Sequence, residues 1–153
     1  MPERSAEVIH KLEANAAYAE WVTWTGERLR PFGLHMVTTH DPVNDLVRFK
    51  VVNTQDWRNP DNHLFKHGVL IEMEIPLSEE VLHDDTLRAK ATVCAGMDRA
   101  NILQQGHASA MAMCHIAMAV SVLRHGEIQE EFLSELKDRY TDTVIGYCSH
   151  TGE

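Results

Sequence analysis

The sequence predicts an α+β domain: a four- to five-stranded, mainly antiparallel sheet with an N-terminal helix, a long Ala/Met-rich central helix and a C-terminal helix packed on one face. Three observations carry this reading. Apolar residues recur at three- and four-residue steps near both ends of the chain, the spacing of amphipathic helices. Between those segments the period falls to two, the spacing of half-buried strands. The outward positions of three candidate strands then carry charges of alternating sign, as neighbours on one wet face do.

The first helix is expected over Ser5–Arg30, where Val8, Leu12, Ala16, Ala19, Val22 and Leu29 form the apolar stripe and Trp21 and Trp24 widen it. Ser5 has the chemistry of an N-cap, and Pro31 with Gly33 stops the helix. Leu34–Thr39 reads as a short strand, followed by turn residues from His40 to Asp45. Leu46–Asn53 alternates Val47, Phe49 and Val51 against Arg48 and Lys50. Gly68–Ile75 alternates Val69, Ile71, Met73 and Ile75 against Glu72 and Glu74. Leu87–Cys94 sets Leu87, Ala89, Ala91 and Val93 against Arg88, Lys90 and Thr92. One charged face and one apolar face is the pattern of an antiparallel meander covered by helices on a single side.

Met97–Arg124 reads as the buried central helix, with Asp98 as N-cap and Gly126 as the stop. Its alanines let it lie close on a sheet, and Met111, Met113 and Met118 fill irregular gaps. A third helix is expected over Glu127–Tyr140, with acids leading and Lys137 and Arg139 closing it, as the helix dipole prefers. The tail Thr143–Cys148 is a candidate fifth strand.

At 153 residues the chain has the length of one domain, 1–153, with no linker or repeat. A net charge of −9 excludes a nucleic-acid groove, which would need clustered Lys and Arg to neutralise phosphates. The apolar stretch Ala108–Leu123 is too short to span a bilayer, so no membrane partner is expected. The N-terminal residues lack the apolar core of a secretion signal. Three cysteines without C-x-x-C spacing read as reduced thiols, and the expected location is cytoplasmic.

Ten histidines are the compositional anomaly. His107, Cys114 and His125 recur near one stripe of the central helix, with Met111, His115 and Met118 close by, a soft donor set suited to copper or zinc. Two helical turns, about 10 Å, separate His107 from Cys114, so one ion would need ligands from elsewhere. The competing reading is a core face with half-buried histidines. His63-x-x-x-His67 has helical zinc-site spacing, but Pro60, Asp61 and Asn62 before it and Gly68 after it oppose a regular helix. A divalent transition metal on His63 and His67 is therefore one possible cofactor. His83-Asp84-Asp85 with His40 and Asp41 is a further oxygen/nitrogen cluster, with turn residues as the default reading.

The connection Asn53–Lys66 is long for a structureless loop in a compact domain, and such loops are often functional. As a catalytic loop it would supply His63 as general base beside Asp61, with Arg58 as an anion clamp for a small-molecule substrate. As a binding loop it would offer Trp57, Arg58, His63 and His67, led by the Trp and Arg types that dominate interface hot spots. As a solvated excursion it would do neither.

Leu34-His35-Met36-Val37-Thr38-Thr39 with Asp41-Pro42 and Leu46-Val47-Arg48-Phe49, then Phe65-Lys66-His67-Gly68, then Ala91-Thr92-Val93-Cys94-Ala95-Gly96-Met97-Asp98, together resemble the small G subunit of bacterial carbon–phosphorus lyase. The likeness covers most of the chain. Departures are a longer Asn53–Lys66 loop and Gly146-Tyr147 where that family has an aromatic pair. The resemblance implies a subunit of a multiprotein complex that attaches phosphonate to a nucleotide, and it carries over no catalytic residue. Two functions follow: an accessory or interaction subunit with a protein partner or self-association, and a small His-dependent, metal-assisted hydrolase or lyase built on the 53–67 loop.

Overall fold

The computed structural model describes residues 4–53, 68–77 and 89–151. The opening periodicity resolves into two helices, α1 (Arg4–Ala14) and α2 (Ala16–Leu29), where its spacing predicts one. The break is at Asn15. Its backbone is extended (φ −81°, ψ 122°), and its side-chain oxygen accepts from the Tyr18 N–H at 3.0 Å, which satisfies a donor that a new helix leaves free. The break also re-phases the buried face. Ala16 and Ala19, expected in the stripe, are exposed, and α2 buries Tyr18, Trp21, Thr25 and Leu29. Ser5 is not a cap: it lies inside α1, fully buried, with its hydroxyl 3.0 Å from His40 Nδ1. A 3-10 turn (Arg30–Phe32) and Gly33 in the left-handed region (φ 72°) end α2 where Pro31 and Gly33 predict.

Four strands follow: β1 (Leu34–Asp41), β2 (Leu46–Asn53), β3 (Val69–Pro76) and β4 (Lys90–Val93). They pair as an antiparallel meander in the order β1-β2-β3-β4. Asp41 builds the first turn by accepting from the N–H groups of Val43 and Asn44, each at 3.0 Å, and from the Asn44 amide at 2.7 Å. Those bonds, the Asn44 side chain's first, hold its carboxyl below the usual range. Between β2 and β3 the register slips by one at Val51/Val52. The bulge at Leu70 breaks the alternation, so Val69, Leu70 and Ile71 are all buried.

The wet face has the expected charges, in register: Arg48 opposite Glu74, Lys50 opposite Glu72, and Glu74 opposite Lys90. Arg48 gathers three carboxylates, Glu72 and Glu74 at 3.0 Å and Asp41 at 3.3 Å. The strand expected over Leu87–Cys94 is shorter: residues 87 and 88 lie outside the described residues, and pairing covers Lys90–Val93, all four exposed.

The central helix is interrupted too. A single turn, α3 (Gly96–Arg99), ends at Ala100, whose ψ of 149° is extended. Helix α4 (Ile102–His125) restarts after Asn101, which caps Gln104 and is capped by it in return. Asp98, predicted as N-cap, sits within α3 and caps nothing downstream. Gly126 closes α4 at φ 75°, as expected.

The C-terminal helix α5 spans Glu130–Thr151, longer than Glu127–Tyr140, and it absorbs the Thr143–Cys148 segment expected as a fifth strand. The β-branched residues there favour a strand locally, but the Thr141 and Thr143 hydroxyls donate back to the carbonyls of Lys137 and Arg139. Gly106 of α4 also receives this segment closely. A side chain there would meet Tyr147 and Cys148 at 3.6–3.7 Å. Tertiary packing overrides propensity in this stretch.

The core lies between the sheet's apolar face (Val47, Phe49, Val51, Ile71, Met73, Ile75) and the helices, α2 toward β1 and α4 over β3, with α5 laid on α4 and α2. By length and composition α4 could cross a membrane, with a mean hydropathy of 1.4, but 61% of that window is buried inside the fold. It is the core helix that the alanines and methionines predict.

Asn15 also donates its amide to the Gly126 carbonyl at 2.8 Å, tying the α1–α2 break to the α4–α5 turn. Asn15→Ala removes both bonds. It is expected to cost about 1–2 kcal/mol, read as a lower urea midpoint with an unchanged slope.

Candidate functional site

Two buried histidines organise the polar interior. His115 is fully buried on α4. The Trp21 indole, which can only donate, gives its N–H to His115 Nδ1 at 3.1 Å. The neutral ring must then carry its proton on Nε2, which donates to the Tyr18 hydroxyl at 3.1 Å. Phe49 of β2 packs edge-on at 4.6 Å between ring centres. Burial pushes the His115 pKa down to about 3 and raises that of Tyr18, with the Glu13 charge adding to the latter. His107 pairs Nδ1 with the Tyr140 hydroxyl at 2.7 Å and lies against Phe32, and burial followed by the Arg28 charge lowers its pKa.

These groups are committed to the fold. The His115 ring, neutral far below physiological pH and held through both nitrogens, has no lone pair for a metal or a substrate. Cys114, beside His115 in sequence, faces differently. Burial pushes its thiol up to about 11, opposed by Arg139 of α5, so it is protonated at neutral pH. The soft-ligand stripe expected on α4 is thus divided: His107 goes to Tyr140, His115 to α2, and Cys114 stays a buried thiol. Among the described residues, no group of three or more His, Cys, Asp or Glu is placed to hold a metal ion.

Trp57, Arg58, Asp61, His63 and His67, the residues singled out for catalysis, binding or metal in the 53–67 loop, lie outside the described residues, as do His83, Asp84 and Asp85. Of the second cluster, His40 meets Ser5 and Asp41 holds the β1–β2 turn.

Among the concave surfaces of the described residues is a groove between α2 and β1. One section, about 610 Å³, runs past Val22, Thr23, Gly26, Glu27 and Arg30 on α2 and Leu34, His35 and Met36 on β1. A second, about 320 Å³, continues past Ile9, Leu12, Tyr18 and Ala19 to Met36 and Thr38, with Glu13 at its rim. The sections share Val22, Thr23 and Met36, so they form one channel. Its floor is the helix-facing row of β1 (Leu34, Met36, Thr38), the outer strand of the described sheet.

Compared with family models, curated proteins and solved structures, the chain matches none.

Sequence reasoning missed this groove because the signal is indirect. Periodicity places Val22 in the apolar stripe and Trp21 beside it. The restart at Asn15 sends Trp21 to the core and leaves Val22 half-buried on the flank beside β1. Asn15 followed by Tyr18 and Trp21 at helical spacing was the available clue.

Unfolded, His115 takes up a proton near pH 6.5; folded, it does so only near pH 3. Between these values the unfolded chain binds more protons, so stability present above pH 6.5 is lost as the pH falls. His115 is expected to add a slope of up to about 1.4 kcal/mol per pH unit below that point. Urea midpoints of wild type and His115→Gln between pH 7 and 5 should show a shallower slope in the variant.

Proposed function

We propose that the chain is an interaction subunit of a multiprotein assembly and that it holds its partner in the α2–β1 groove. The observation that carries this reading is the groove itself, which runs along β1, the outer strand of the described sheet. Here an eight-residue strand runs beside a channel walled by Ile9, Val22 and Met36. The groove mixes apolar side chains with Thr23, Thr25, Glu27, Arg30 and His35, and a concave surface of apolar walls with placed polar groups is a general form of recognition site.

Two further points support it. His107, His115 and Cys114, whose pKa values are shifted chiefly by burial, lie in the core. The resemblance to the G subunit of carbon–phosphorus lyase also points to an accessory subunit, in that case within phosphonate metabolism. The alternative of a His-dependent, metal-assisted enzyme rests on His63, His67 and their neighbours outside the described residues.

Position-specific photo-cross-linking in the source cells tests the proposal. A benzophenone amino acid at Thr23, exposed in the groove, should give one dominant cross-linked partner. The same group at Asp138, exposed on α5, should not. Equal yields at both positions, or no product at Thr23, would remove the groove as the partner site.

A further inference from the structure

Resting on that reading, we infer the chemistry of the occupant: an amphipathic α-helix of a partner protein, with an apolar face against Val22 and Met36 and basic residues on the flank that meets Glu13 and Glu27.

Charge decides the class of partner. Glu13 lines one section of the groove and Glu27 the other, and both are exposed. Arg28, 3.8 Å from Glu27, is engaged elsewhere: its guanidinium stands 3.7 Å over the Trp24 ring and donates to the Trp24 carbonyl. Arg30 brings a cation only to the end of the groove near Leu34. A chain of net charge −9 steers cationic segments toward itself, and carboxylates on a groove wall fix where such a segment settles.

The same charge argues against a second copy. Helix α5 turns Glu131, Glu135, Asp138 and Asp142 outward, all exposed, and in the groove these would set acid beside acid. Helix α4 has no charged residue between Ile102 and Leu123, and α1 offsets its exposed Lys11 with Glu7 one turn earlier. Among the described helices, none offers a basic face.

Shape decides the occupant's secondary structure. Ala19 and Gly26 stand seven residues apart, and so on one side of α2, and each lines one section of the groove. Val22 lies on the flank of that line nearer β1, and Glu27 lies on the other. Two helices approach to about 8 Å only where the residues between them are small. Gly26 is the sharper of the two. It sits inside α2 without a positive φ, and a Cβ added there would meet nothing within 4 Å. Alanine would therefore fit, and glycine is the poorest helix former after proline. No contact within the described fold asks for glycine at this position, whereas a second helix laid against it does. From Tyr18 to Arg30 the groove follows α2 for about 18 Å, the length of about three helical turns. An apolar face presented at three- and four-residue steps is how a helix fills a groove of this kind.

Selection of phage-displayed random 16-residue peptides on the full chain tests the inference. Enriched sequences should carry apolar residues at three- and four-residue steps, with Lys or Arg on one flank. The best peptide, synthesised, should gain helical circular dichroism on binding. By fluorescence anisotropy, Glu13→Lys with Glu27→Lys should weaken it about tenfold or more at low salt, a difference that closes as NaCl rises. Gly26→Ala should raise the thermal midpoint by about 2–4 °C. Gly26→Leu should leave the midpoint at or above that of wild type and still remove binding, which separates a blocked groove from a damaged fold. No enrichment, enriched sequences that are acidic or alternate with period two, a peptide that stays non-helical, or binding that Gly26→Leu leaves unchanged overturns the helix. A dimer of the chain itself that Gly26→Leu dissociates also overturns it, by giving the groove to a second copy. A dominant Thr23 cross-link alongside any of these results keeps the interaction reading and removes only the helical occupant. A missing Thr23 cross-link removes the reading on which the inference rests, and the inference with it.

Discussion

The placement of His115 sets the geometry of this fold. A fully buried imidazole is costly unless its polar atoms are bonded, and the two partners it finds both belong to α2. Trp21 and Tyr18 lie one turn apart and reach opposite nitrogens of the ring, which fixes both the rotation of α2 and its height along α4. Phe49 closes the third side from β2. With α2 held in this rotation, Thr23 and Val22 are turned toward β1, and the groove exists because of that turn. The groove is thus a by-product of how a core histidine is satisfied.

Much of this architecture is legible in the sequence. The period-two segments mark the strands, and the alternating charges mark β2, β3 and β4 as sequential neighbours, because side-chain alternation and cross-strand pairing are local rules. Arg48 with Glu72 and Glu74 is the clearest case. The helix boundaries were less legible. Asn15 and Asn101 each interrupt an apolar pattern that continues on both sides, so periodicity passes over them; only their capping chemistry marks the breaks. The segment Thr143–Cys148 reads as a strand because Thr143, Val144 and Ile145 are strand formers, and in the fold it continues the helix and packs on Gly106 and Gln105 of α4.

The candidate site was less legible than the fold. Attention went to a loop rich in His, Trp and Arg, since chemically active residue types are visible in a sequence. The groove is made of ordinary residues, Val22, Thr23, Met36 and Thr38, and its character comes from a helix flank meeting a strand edge. Such a surface depends on residues far apart in the chain, and no local pattern encodes it. The histidine anomaly likewise has an unremarkable explanation for His107 and His115: both hydrogen-bond buried hydroxyl or indole groups inside the core.

The pairing of α4 with α5 has a consequence for how the chain is made. Synthesis delivers the sheet and then α4 before any of α5 exists. At that stage the surface that Leu133, Leu136 and Tyr140 will cover faces solvent, on a helix apolar enough to resemble a membrane span. His107 also waits for the Tyr140 hydroxyl. A chain truncated at the α4–α5 turn would therefore present that apolar face to solvent, and it is α5 that covers it.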